Sequence, residues 1–212
     1  MLDEWFNGVV KEHIDGYCEI IRYADDFVVV VQYAKEAVRI ERVLRNRFGK
    51  YGLELHADKS RIFSFGRYEK ENAQKQNRKP NTFDFLGFTH YVTKTRNGFF
   101  KVGLMTSGQK FRQKCKNMNL WLKSIRNVTK MKYWWETLAK KLNGHYAYYG
   151  ISGNYASISR FYRNTLLLAL KWLNRRSQKT SMSWKGFYKY LENYPLPKPK
   201  IKYKLYELSN AK

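Results

Sequence analysis

The sequence predicts an α+β fold, with an antiparallel sheet and a packed helix in its first half and an all-α helical bundle after it. Three observations carry that expectation. Two β-branched runs bracket a polar Ala24-Asp25-Asp26 break. Asn97-Gly98, the strongest short hairpin signal, lies between two further strand-like segments. Beyond residue 106, apolar residues recur at helical spacing in three successive segments.

Each element follows from its local pattern. Glu19 to Tyr23 and Phe27 to Val31 have the composition and length of strands buried on one or both faces. Ala24-Asp25-Asp26 supplies a turn, so a tight hairpin with Asp25 and Asp26 at its tip is expected. Aspartate is a common turn residue, and the pair by itself implies no chemistry. Ala34 to Lys50 reads as an amphipathic helix through Ala34, Ala37, Val38, Val43, Leu44 and Phe48, with Gly49 and Gly52 as stop signals. Leu53 to His56 and Arg61 to Phe65 alternate like strands around a turn at Ala57-Asp58-Lys59-Ser60. Residues 67–80 are polar and aperiodic, as in an exposed loop.

The second half continues with a hairpin of Thr89 to Lys94 and Phe99 to Met105. Ser107 is placed to cap a helix whose stripe is Phe111, Cys115, Met118, Leu122 and Ile125. A helix around Trp134 to Tyr149 has Trp135, Leu138, Leu142, Tyr146 and Tyr149 as its core stripe. A third, around Ser157 to Asn174, has Ile158, Phe161, Thr165, Leu168, Ala169 and Trp172 or Leu173. Tyr148, Tyr162 and Tyr188 are expected outside, and His145 reads as a hydrogen-bonding helix residue. Ser183 can cap a short last helix carrying Phe187, Tyr188 and Leu191. Pro195, Pro197 and Pro199 then impose an extended tail rich in lysine, either a solvated linker or an arm along phosphates.

Composition narrows the function. The chain has 212 residues and 41 Lys and Arg against 17 Asp and Glu, a net charge of +24. Residues 1–66 are nearly neutral, whereas residues 67–212 carry 31 basic and 6 acidic side chains. So large a surplus repels itself unless a polyanion is near, and nucleic acid is the commonest such partner. A solvated cationic surface and an anionic membrane surface are the alternatives. Two widely separated cysteines, Cys18 and Cys115, exclude a disulfide scaffold and a CxxC zinc site. No apolar run approaches bilayer length and no signal-peptide pattern opens the chain, so no membrane association and a cytoplasmic, RNA-associated location are expected.

Three ordered motifs point further. Tyr23-Ala24-Asp25-Asp26 resembles the YxDD box of reverse transcriptases. Leu53-Glu54-Leu55-His56-Ala57-Asp58-Lys59-Ser60 resembles the next block of that family, and Phe85-Leu86-Gly87-Phe88 its short FLGF strand. Downstream, Leu142-Asn143-Gly144-His145-Tyr146-Ala147-Tyr148-Tyr149-Gly150 is similar to a maturase-specific stretch of group II intron-encoded reverse transcriptases. Trp172 to Ser177, Trp184 to Phe187 and Leu196 to Ile201 continue that likeness. The resemblance implies a partial polymerase palm over residues 1–105, a helical thumb and maturase-specific domain over 106–194, and a basic tail over 195–212.

The resemblance also implies the chemistry, Mg²⁺-dependent nucleotidyl transfer templated by RNA, with group II intron RNA and an RNA/DNA template–primer as partners. Asp25 would be the direct metal ligand and Asp26 the second carboxylate. Tyr23, Ala24, Lys59, Leu86 and Gly87 would lie near the primer or nucleotide. Lys110, Arg112, Lys114, Lys116, Lys123, Arg126, Arg160, Arg163, Arg175 and Arg176 would contact nucleic acid. The family takes a third metal carboxylate from an earlier block that neither Asp3 nor Glu4 resembles. This polypeptide alone is therefore expected not to polymerise DNA without an upstream fingers and palm fragment or a partner copy. The rival readings are a non-enzymatic intron-RNA-binding maturase and a retron- or defence-type reverse transcriptase.

Overall fold

The computed structural model of the chain describes residues 2–176 and 181–205. The fold is α+β, and the chain divides into two compact units, Met1–Asn81 and Thr82–Lys212. The expected boundary at 105/106 thus falls inside the second unit.

In the first unit, α1 (Leu2–Trp5) runs on through a π turn, Phe6–Val10, and a 3₁₀ turn, Lys11–His13. The antiparallel hairpin of β1 (Cys18–Tyr23) and β2 (Asp26–Val31) follows, then α2 (Ala34–Gly49). One hairpin face, with Cys18, Ile20, Phe27, Val29 and Val31, packs on Phe6, Val10, Ile40 and Leu44. Ile40 is therefore the core residue of α2 that the sequence reading omitted, while Val38 lies exposed. Two other expectations fail here. Residues 53–65 join no strand ladder, so the two segments flanking the Ala57 to Ser60 turn are irregular.

The supposed loop at 67–80 contains α3 (Glu69–Lys75). Its organiser is Glu69, whose buried carboxylate accepts from the Arg78 guanidinium at 2.6 Å and from the Asn81 N–H at 2.8 Å. Arg78 holds that carboxyl down to about 2 against the upward push of burial. Periodicity could not reveal this turn of helix, because its anchor is a single ion pair and not an apolar stripe.

In the second unit, β3 (Thr82–Phe85), β4 (Phe88–Lys94) and β5 (Phe100–Thr106) form an antiparallel sheet in the order β3-β4-β5. The Asn97-Gly98 hairpin is present between β4 and β5. The FLGF segment is not a strand. Phe85 ends β3, Phe88 opens β4, and Leu86 and Gly87 both take positive φ (+49° and +78°), as a type I′ turn requires.

Three long helices follow, α4 (Gly108–Ile125), α5 (Met131–Tyr149) and α6 (Tyr155–Asn174), and then the shorter α7 (Trp184–Asn193). Ser107 and Ser183 cap α4 and α7, their hydroxyls accepting from the Lys110 and Gly186 N–H groups. The α5 stripe is buried as expected, joined by Trp134 and His145, and packs with Ile158, Phe161, Leu166, Ala169, Leu170 and Trp172 of α6. Each large aliphatic or phenylalanine side chain among them contributes roughly 1.5–3 kcal/mol on burial.

Sheet and helices are joined at Asn154, which is wholly buried. Its Oδ1 accepts from the Thr106 N–H at 2.8 Å, and its Nδ2 donates to Thr106 Oγ1 and to the Tyr149 carbonyl. The chain just after α7 packs back onto the helices, a contact that neither a solvated linker nor an arm along phosphates anticipates. Leu196 is buried, Tyr146 donates its hydroxyl to the Pro197 carbonyl at 3.1 Å, and the Tyr203 N–H donates to the Gly150 carbonyl. A Cβ on Gly150 would meet the Lys200 carbonyl at 2.7 Å, so the strap lies too close for any side chain there. Residues 206–212 of that tail, and Ser177, lie outside the described residues.

His145 departs from expectation as well. Its ring stacks on Phe161 at 3.8 Å, and its buried Nε2 has no hydrogen-bond partner among the described residues. Burial pushes the imidazole down to about 4, with Lys114 adding to the effect. Between pH 6.5 and 4 the unfolded chain therefore takes up a proton that the folded chain refuses, so stability falls as pH drops through that window. Denaturant titrations at pH 7, 6 and 5 should show wild type losing up to about 1.4 kcal/mol per unit relative to His145→Phe. Parallel curves for the two proteins would contradict this origin.

Candidate active site

The β1–β2 register places the two acids differently. Tyr23 pairs with Asp26, so the loop is the two residues Ala24 and Asp25, and Asp26 is already the first residue of β2. Paired residues share a face of the ladder. Cys18/Val31 and Ile20/Val29 lie on the core face, so Tyr23/Asp26 and Ile21/Val28 lie on the opposite one. Asp26 therefore stands on the outward face, beside a Tyr23 that is 67 % exposed, and Asp25 projects from the loop. Ala24 takes φ +51°, a conformation more usual for glycine.

Arg22 braces this tip. Its guanidinium donates to both carboxylate oxygens of Asp3 and, at 3.1 Å, to the Ala24 carbonyl. Arg22 holds the Asp3 carboxyl below the usual range, and the Asp3 bond, with Asp25 adding its field, raises Arg22. Asp3 is thus committed to Arg22, while no hydrogen bond or ion pair to a described side chain occupies Asp25 or Asp26. Their exposed carboxylate oxygens suit a hard cation that keeps several waters and takes one or two protein carboxylates. Among the described residues no cluster of three or more His, Cys, Asp or Glu forms a fuller cage.

The other expected site residues belong to other elements. Lys59 is exposed in a turn held by N–H donation from Lys59 and Ser60 to the His56 carbonyl. Leu86 and Gly87 belong to the second unit, where their carbonyls accept from Tyr148 Oη at 2.9 Å and the Ser107 N–H at 2.9 Å. They form a packed joint between sheet and helices. Lys110, Arg112, Lys114, Lys116, Lys123, Arg160, Arg163 and Arg175 are exposed, and Arg126 and Arg176 are half-buried. Arg160 lies over the Phe111 ring at 4.6 Å. Asp3 as partner of Arg22 and Lys171 beside Trp172 were not anticipated, the first because its partner lies 19 residues away.

Residues 1–90 match the family model for reverse transcriptases, RNA-dependent DNA polymerases. The matched span contains the whole hairpin, both carboxylates and Lys59. A search of curated proteins returns no match. No helix among the described residues is long and apolar enough to cross a membrane.

With Asp3 neutralised, Arg22 would be free to pair with Asp25. Asp3→Asn should weaken Mn²⁺ binding at the tip about two- to fivefold, the worth of an exposed ion pair. Titration calorimetry reads this directly, and unchanged affinity would rule out the bracing role.

Proposed function

We propose that this chain is part of a group II intron-encoded reverse transcriptase and maturase. Asp25 and Asp26 bind Mg²⁺ for RNA-templated DNA synthesis, and the basic second unit binds intron RNA and template–primer. The observation that carries the reading is the exposed acid pair on a hairpin inside the reverse-transcriptase match. The maturase assignment is supported by the stretch from Leu142 to Gly150. Its Leu142, Tyr146 and Tyr149 serve the core, while Asn143, Gly144 and Ala147 stay exposed for recognition.

When bound, Mg²⁺ lowers the pKa of an attacking 3′-hydroxyl and neutralises charge on the leaving pyrophosphate. The chain's own part is to hold the ion from both acids, with the ladder keeping the backbone still and Arg22 drawn off onto Asp3. Tyr23 offers an exposed ring on the same face as Asp26, suited to packing beside a primer end.

Two adjacent carboxylates hold Mg²⁺ weakly, so extension should require a third acid from another segment or polypeptide. The purified chain is expected to give no product on oligo(dT)/poly(A). When complemented with a fingers and palm fragment, activity should fall at least about a hundredfold in Asp25→Asn, more than a displaced outer-shell partner costs. RNA affinity should be the same in both proteins. Robust Asp25-dependent synthesis by the chain alone would refute the need for a third acid, and full activity of Asp25→Asn would refute the metal role. RNA binding with no extension under any complementation would favour the non-enzymatic maturase.

A further inference from the structure

The carbonyl ends of α4 and α6 meet at Trp172. Its indole is buried and donates from Nε1 to Asn119 Oδ1 of α4 at 2.9 Å. Three cations surround that ring. Arg126, which closes α4, lies 5.2 Å from its centroid, and Lys171 and Arg175, in and just beyond the last turn of α6, lie at 5.3 Å. Arg176 follows directly, with a buried Nη1 that donates to nothing among the described residues. No carboxylate lies within ion-pair range of any of the four in the described residues.

Two attractive terms explain why cations collect here. Helix ends carry partial negative charge from unpaired carbonyls, and an indole face attracts cations by about 0.5–2 kcal/mol. Neither balances three full charges gathered over one indole from two helices. A group that spreads negative charge over several acceptor oxygens does, and phosphate matches the fork of arginine.

We propose that Arg126, Lys171 and Arg175 form a phosphate-binding site that clamps the backbone of a bound RNA. The site deepens the RNA-binding half of the proposed function and rests on it. Trp172 is the floor of the site: buried beneath the cations, it orients guanidinium planes and does not stack on bases.

The test uses the full chain with a structured RNA hairpin and, separately, inorganic phosphate. Arg126→Gln/Arg175→Gln should weaken RNA binding about tenfold or more and lower the salt slope by about 1.4–1.8, two contacts' worth. The exposed pair Lys140→Gln/Lys185→Gln should do neither. Lys171→Glu supplies the missing carboxylate from within. It should raise Tm by relieving repulsion while reducing RNA affinity, an outcome that loss of folding cannot imitate. Equal losses from both double variants would mean a diffuse basic surface and overturn the site. An unchanged slope in Arg126→Gln/Arg175→Gln would also overturn it, leaving RNA binding by the rest of the unit intact. If wild type binds no RNA, the functional reading itself fails. If inorganic phosphate then raises Tm in wild type alone, the site serves free phosphate, which overturns the RNA clamp.

Discussion

Charge that cannot be paired must be kept apart or given a counterion, and this constraint divides the molecule. The first unit pairs many of its charges internally: Arg22 with Asp3, Lys11 with Glu19, Lys35 with Asp15, Arg45 with Glu41 and Arg78 with a buried Glu69. The second unit has 26 basic side chains and four acidic ones, so internal pairing can satisfy only a few. Its stability rests on a core of tryptophan, tyrosine, phenylalanine and leucine, with cations turned outward. Several of those cations lie over rings at the edge of that core: Arg160 over Phe111, Lys141 over Trp121 and the trio over Trp172. The same rings that stabilise the helices thereby fix the positions of these cations.

Such an arrangement needs rigid helices, and buried polar groups supply the joints. Asn154 satisfies three backbone and side-chain partners at once where β5, α5 and α6 converge. An amide in that position is costly unless every bond is made, and here the acceptors and donors are matched. The Leu86-Gly87 turn, seated under Tyr148, and the strap from Leu196 to Tyr203 close the remaining sides of the bundle. His145 is the exception: it is buried neutral against Phe161, which makes the core sensitive to acid.

At the hairpin, economy of geometry serves chemistry. A two-residue loop lets one acid project from the turn while its neighbour stands on the outward strand face. Both carboxylates then stay exposed to solvent. Arg22 approaches the turn from the N-terminal side, but Asp3 holds its charge and keeps it from competing for the tip. The first helical residues thus act on the tip through electrostatics.

The elements with strong local signals were legible from residues alone. The β-branched runs around Ala24-Asp25-Asp26, the Asn97-Gly98 hairpin, the serine caps and the helical stripes at Leu138, Leu142 and Ile158 each carry their reason within a few residues. The reading failed where the deciding partner is distant. Leu53 to Phe65 has strand-like alternation, yet no strand among the described residues pairs with it. The 67–80 segment lacks an apolar period and still folds, because Glu69 meets Arg78 and Asn81. FLGF is apolar enough for a strand, but Tyr148 and Ser107 bind its carbonyls as a turn. What the sequence determined by itself was which acids and which cations exist, and on which type of element. Which cations converge on one indole, and which acid is already taken by an arginine, only the tertiary structure decided, since Coulomb energy and hydrogen bonding depend on distance in space and not on separation along the chain.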